Sequence, residues 1–257
     1  MSTIKTKIAA SILIAGCGLA SHSVEAAGPA VDLLQKDWSH DGLFGKFDKS
    51  SAQRGLQVYR EVCASCHSLN FIAFRNLADL GFGENEVKAI AAEYEVTDGP
   101  NDEGDMFERP AKPSDGFPAP FANDNAARAS NGGALPPDLS LITKARADGV
   151  NYLYSLLLGY QEPPADFELS EGMSYNAYFG GHQIAMAEPL YEEAVEYSDG
   201  TPATLEQMAS DVTTFLTWAA EPTLEERKGT GLKVMMFLVI LTGLFYATKR
   251  KIWSDLH

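Results

Sequence analysis

The sequence predicts a mainly α-helical domain with long loop insertions, followed by one C-terminal transmembrane helix. Three observations lead there. Leu205, Met208, Val212, Phe215, Leu216 and Ala219 recur at helical spacing, the pattern of an amphipathic helix with one buried face. Gly229 to Thr248 is an apolar run of twenty residues with no acid and a single base, Lys233, near its start, long enough to span a bilayer. Between the helical segments, Lys112 to Pro120 and residues 161–200 are rich in Pro, Gly and acid, which forbids long regular elements. A chain of 257 residues that is 45% hydrophobic has ample material for a core. Its formal charge of −15 argues against a nucleic-acid partner and for a basic partner or simple solubility.

Taken in order, residues 1–26 read as an export signal. Lys5 and Lys7 precede a short apolar run from Ile8 to Ala20, and small residues at Ala26 and Ala27 suit cleavage. Ile14-Ala15-Gly16-Cys17 also resembles a lipoprotein processing site, the competing fate of this leader. Leu33 to Ser50 offers Trp38, Phe44 and Phe47 for packing. Ser50 or Ser51 then opens a helix in which Gly55, Tyr59 and Cys63 share one face at four-residue spacing. A glycine on that face predicts close approach of a second helix, and the Thr204–Ala220 segment, with Phe215, is the expected neighbour.

The helix runs into Cys63-Ala64-Ser65-Cys66-His67. Two thiols three positions apart with an adjoining imidazole are the pattern of covalent c-type haem attachment. Both sulfurs can bond the porphyrin's vinyl groups while His67 lies under the iron. A zinc site would need about four N or S ligands, and no second Cys or His pair stands at ligand spacing. A thioredoxin-like pair would want a βαβ setting, which the flanks lack. Such attachment takes place outside the bacterial cytoplasm, so the motif and the leader agree.

Glu84 to Tyr94 reads as a short helix, and Glu93 to Glu108 as an acidic loop, either solvated surface or part of a docking face. Ala126 to Ser140 ends in Pro136-Pro137, whose carbonyls could accept the second ring N–H of His67. Leu139 to Tyr160 is apolar and is expected to be helical throughout. Thr204, with Gln207 three residues on, reads as a capping box, and Glu221-Pro222 ends that helix. Lys249-Arg250-Lys251 after the apolar run places the C-terminus in the cytoplasm and the haem domain outside. The leader carries +1 and the segment from residue 229 carries +3, leaving −19 on the domain between them.

The sixth iron position can be taken by Met106, Met173, Met186, Met208, His40 or His182. Met106 lies in the acidic loop and Met208 in a helical stripe, so both are demoted. Met186, His182 and Met173 remain open, with Met186 favoured by its compact, largely uncharged surroundings.

In chain order, several stretches resemble the cytochrome c1 family. They are Arg54-Gly55-Leu56-Gln57-Val58-Tyr59 before the Cys63–His67 motif, Asp98-Gly99-Pro100-Asn101, and Gly133-Ala134-Leu135-Pro136-Pro137-Asp138-Leu139-Ser140. Asp199-Gly200-Thr201-Pro202, Trp218-Ala219-Ala220-Glu221-Pro222 and the tail helix complete the likeness, which covers nearly all of the chain after the leader. The resemblance implies a class-I-like cytochrome c domain with a single covalent haem c. It implies Cys63 and Cys66 as thioether residues, His67 and Met186 as iron ligands, and Arg128 beside a haem propionate. Pro137 is the expected carbonyl partner of His67. Glu188 departs from the family, which more often has proline there, and no cysteine pair lies between His67 and Met186.

The expected layout is a signal at 1–26, a periplasmic cytochrome c domain at 27–228, a transmembrane helix at 229–248 and a cytoplasmic tail at 249–257. The resemblance further implies one-electron transfer within a dimeric cytochrome bc1 complex in the inner membrane. There the Rieske iron–sulfur subunit would be donor, cytochrome b the neighbouring core subunit, and a basic cytochrome c the acceptor. The alternatives are a free-standing membrane-anchored shuttle and a haem sensor or ligand-binding enzyme with open iron.

Overall fold

The computed structural model describes residues 31–254. The expected leader and Cys17 lie outside the described residues. The fold is mainly helical, as predicted, and its centre is the crossing of two helices. Helix α1 spans Lys49–Glu61. Its cap is Asp48, whose carboxylate accepts a hydrogen bond from the Ser51 amide at 3.1 Å, so the helix opens slightly earlier than its serines suggest. The 16-residue α5 spans Leu205–Ala220. Thr204 caps it by accepting from the Gln207 amide. The Gln207 side chain does not return to the cap. It turns inward to Asp211 instead, so only half of the capping box forms.

The α1–α5 crossing follows from Gly55. A Cβ built there would lie 2.0 Å from the Asp211 carbonyl oxygen and 2.7 Å from the Phe215 Cβ. Only glycine permits that approach. It also brings Tyr59 to 5.8 Å from Phe215, ring centre to ring centre, as the shared face predicts. Around the crossing, Leu56, Val58, Met208, Val212 and Trp218 are buried. A polar cluster locks it. Asp211, fully buried, accepts hydrogen bonds from Ser51 at 2.6 Å and Arg54 at 2.8 Å, and Arg54 also reaches Asp199. Removing Arg54 would strand a buried charge, a loss of about 3–5 kcal/mol.

Other elements correct the sequence reading. Helix α2 covers Glu84–Ala92, close to expectation. The acidic stretch is not a plain loop. Strands β1 (Glu95–Asp98) and β2 (Phe107–Pro110) pair antiparallel, with Glu95 opposite Pro110 and Asp98 opposite Phe107. Arg109 holds this hairpin by bonding Asp98 and, at 2.6 Å, Asp115. A short helix α3 covers Asp124–Ser130. Helix α4 covers only Gly149–Leu158, not Leu139 to Tyr160. The chain doubles back at its start, where a Cβ on Gly149 would lie 1.9 Å from the Thr143 carbonyl oxygen, so residues 139–148 form turns. A second hairpin pairs β3 (Ser174–Tyr175) with β4 (Gln183–Ile184) in the stretch expected to be irregular.

Helix α6 runs from Leu224 to Trp253, thirty residues, longer at both ends than the predicted span. Its first residue, Leu224, is buried in the domain core, whereas its apolar stretch is exposed among the described residues. By length and composition it can cross a membrane. The loop 39–46 holds its base: the Phe47 amide donates to Glu225, and Lys228 donates to the carbonyls of His40 and Gly45. Trp38 and Phe47 are buried there, but Phe44 is 75% exposed.

Candidate haem site

Helix α1 stops at Val62, and a tight turn over Cys63–Ser65 follows. The amides of Cys66 and His67 both donate to the Cys63 carbonyl, at 3.1 and 2.9 Å. That single turn places two thiols and an imidazole on one short segment. The Tyr59 hydroxyl, held in the α1–α5 crossing, donates to the His67 carbonyl at 3.1 Å and ties the turn to the core.

The segment 137–140 lies alongside. The Leu139 amide donates to the Ser68 carbonyl, and the Phe71 amide to the Ser140 hydroxyl. Asp138 clamps the two runs: it accepts from the Ser68 hydroxyl at 2.8 Å and from the amides of Asn70 and Ser140 at 2.9 and 2.8 Å. Burial alone would push its carboxyl up, but hydrogen bonds from Ser140, Asn70 and Ser68 together hold it below the usual range. With the register set this way, the Pro137 carbonyl oxygen lies 2.8 Å from Nδ1 of His67. A carbonyl can only accept, so Nδ1 carries the proton and Nε2 keeps its lone pair for a metal. Burial lowers the His67 pKa, which favours the neutral, ligating imidazole despite the opposing pull of Pro137 and Asp138.

The donor set fits a thioether-linked haem better than its rivals. Burial, and then Cys66, pushes the Cys63 thiol up to about 12. A redox-active or metal-binding thiol needs the opposite, a depressed pKa. Among the described residues no three His, Cys, Asp or Glu side chains gather as a metal-binding group.

Cys63, Cys66, His67 and Pro137 are thus brought together. Met186 and Arg128 stand on other segments, and no hydrogen bond or ring contact joins either to the Cys63–His67 turn among the described residues. Met186 is half-buried just after β4, its carbonyl accepting from the Tyr160 hydroxyl at 3.2 Å. Arg128 is exposed in the last turn of α3 and donates to the Gly133 carbonyl, bracing the turn that leads to Pro137. The other candidates are placed as follows. Met208 is fully buried in α5 and Met106 is 60% exposed beside β2. Met173 is exposed in a turn, and His182 stacks on Tyr175. His40 is buried between Trp38 and Phe47 at the base of α6. Two contributors escaped sequence reasoning. Asp138 stood inside a recognised motif without an assigned task, and Tyr160 gave no signal, because its partner is 26 residues away.

A helical domain with this turn and imidazole anchor defines a haem-binding cytochrome. A sequence model of the Cytochrome C1 family matches residues 38–256. Cytochrome c1 of Rhodospirillum rubrum is 47% identical, covering 99% of each chain. "Cytochrome c1 1, heme protein, mitochondrial" of Arabidopsis thaliana is 52% identical over 91% of this chain and 76% of its own. "Cytochrome b/c1" of Bradyrhizobium diazoefficiens is 52% identical over 86% of this chain, which spans 35% of that longer protein. The chain belongs to the cytochrome c1 family, and it is an electron carrier.

Proposed function

We propose that the chain carries one covalent haem c in a cytochrome bc1 complex and passes single electrons from the Rieske iron–sulfur subunit to a basic cytochrome c. The observation that carries this reading is the anchored imidazole, His67 Nδ1 against the Pro137 carbonyl at 2.8 Å, on the same turn as Cys63 and Cys66. Cys63 and Cys66 would hold the porphyrin through thioethers, and His67 would supply a nitrogen to the iron. Met186, on a loop braced by Tyr160, would be the second iron ligand, and Arg128 would pair with a propionate. When bound, the haem supplies a reversible one-electron couple, and a Met ligand raises its potential relative to a second His. The chain's own residues bind, orient and shield. Asp138 sets the register, Tyr59 fixes the turn, and no group on the chain needs to move a proton.

Helix α6 anchors the domain in the inner membrane, with the haem domain in the periplasm and Lys249-Arg250-Lys251 on the cytoplasmic side. The name of the Bradyrhizobium relative couples b and c1, which supports cytochrome b as a neighbour. A dimeric complex is the expected assembly. The domain's acidic surface suits a basic acceptor. Glu95, Asp102, Glu103, Asp105 and Glu108 are exposed and form no ion pair among the described residues, whereas Glu93 and Asp98 are engaged by Arg60 and Arg109.

The test is purification of this chain from its own membranes, with subunit identification, haem mass analysis and reduced-minus-oxidised spectra. Co-purification with cytochrome b and the Rieske protein, and one haem per chain, support the proposal. A chain that purifies alone is a free-standing shuttle, and rapid carbon monoxide binding to the reduced native protein marks an open-iron sensor or enzyme.

A further inference from the structure

The loop between Trp38 and Phe47 is built more rigidly than its sequence requires, and it presents its apolar residues outward. The Lys46 amide donates to the Ser39 carbonyl at 2.9 Å, closing the loop at its base, and the Asp41 amide donates to Trp38. A Cβ on Gly45 would lie 1.9 Å from the Asp41 carbonyl oxygen, so the two limbs touch. Gly42, at φ +68°, makes the left-handed turn at the tip. On this tight frame Leu43 is 58% and Phe44 75% exposed, although Trp38 and Phe47 on either side are buried. An adjacent exposed Leu and Phe on a rigid frame are placed for contact.

The loop is tied to the first turns of α6. Phe47 is bonded to Glu225, and Gly45 to Lys228. From Glu225 to Lys228, α6 advances about 4.5 Å toward its apolar stretch. Lys228 also donates to the His40 carbonyl, so both limbs of the loop are tied to the turn of α6 that precedes its apolar stretch, and Leu43 and Phe44 lie between those limbs. Lys228 immediately precedes Gly229, where the apolar run begins. Lys46, beside the tip, is exposed.

We propose that Leu43 and Phe44 form a wedge seated in the bilayer's interfacial layer beside α6, giving the haem domain a second contact with lipid. One anchoring helix alone leaves a domain free to tilt. A wedge tied to that helix through Lys228 and Glu225 fixes the tilt. The inference rests on α6 spanning a membrane, as proposed above.

The test introduces a photo-reactive benzoylphenylalanine in place of Phe44 in the full chain, irradiated in native membranes with its partners present. The same group replacing Phe237, within the apolar stretch of α6, and replacing exposed Glu103, in the acidic hairpin, provides references. The expected result at position 44 is a chain heavier by the mass of one phospholipid, as at position 237, with no such adduct at position 103. A protein-sized adduct at position 44 would show that another subunit or a second copy covers the loop, and overturns the proposal. So does the absence of any adduct there when position 237 takes lipid. At position 237 an adduct with lipid or with another membrane subunit agrees with the span; labelling of neither refutes the span, and the wedge with it.

Discussion

The Nδ1 atom of His67 lies 2.8 Å from the carbonyl oxygen of Pro137, seventy residues further along the chain. Neither residue chooses this pairing by itself. It exists because Asp138 gathers the amides and hydroxyl of the 68–70 and 138–140 segments onto one carboxylate. Orientation of the His67 imidazole is thus a consequence of a clamp one residue away.

The clamp has a pH signature. The folded-state carboxyl of Asp138 is held below its ordinary value of about 3.9. A depressed carboxylate contributes stability that is complete above the unfolded value and disappears as pH falls through the folded one. D138N is expected to cost about 2 kcal/mol at pH 7, the scale of hydrogen bonds to a charged acceptor. In thermal melts of the haem-loaded protein, the difference between wild type and D138N should be constant above about pH 5 and shrink below about pH 4. A difference independent of pH down to about 3 would contradict the clamp.

The α1–α5 crossing allows no side chain at position 55. G55A places a methyl group against the Asp211 carbonyl and the Phe215 Cβ, so the helices must separate. A loss of about 3 kcal/mol is expected, as for overpacked cores. That corresponds to a melting temperature lower by roughly 10 °C, together with poor haem incorporation as the Tyr59–His67 bond loosens. Wild-type melting in G55A would mean the crossing is more pliable than the geometry indicates.

Met186 as distal ligand predicts that M186L lowers the reduction potential by on the order of 0.1 V or more, within the range of roughly 0.8 V that axial ligands command. The reduced variant should also bind carbon monoxide. Redox titration and carbon monoxide difference spectra of the membrane complex measure both. An unchanged potential would move the assignment to Met173 or His182.

The acidic surface predicts strongly salt-dependent transfer to a basic cytochrome c. At about 0.1 M salt the Debye length is about 10 Å, so steering by exposed carboxylates is largely screened above that. The second-order oxidation rate of the complex should fall by about tenfold or more between roughly 10 mM and 300 mM salt. Charge reversal at Asp102, Glu103 and Asp105 should flatten the dependence if the hairpin docks the acceptor. An unaltered slope in that variant would place docking elsewhere on the domain.

What was legible in the sequence was what depends on spacing. The Cys63–His67 turn, the shared face of Gly55 and Tyr59, the α5 stripe and the apolar tail are all written in local periodicity. The Pro136-Pro137 turn offers two carbonyls for His67, and the Pro137 oxygen is the one at 2.8 Å from Nδ1. What escaped depends on distant partners. Strands β1 and β2 are too short to show alternation, and Arg109 holds them through Asp98 and Asp115. Helix α4 starts late because Gly149 meets Thr143, a contact its apolar composition does not announce. Helix α6 starts early because Leu224 is buried in the domain core, so its first turn belongs to the folded domain and not to the apolar stretch.

The central claim is that electrons pass through this chain on their way from quinol to a cytochrome c. Rapid mixing of the purified membrane complex with quinol, while following the c-type absorption of this subunit, tests it most directly. The account predicts that haem c is reduced only when the Rieske subunit is present, and is reoxidised on adding a basic cytochrome c. Transfer of electrons to the acceptor while this haem stays oxidised throughout would contradict it.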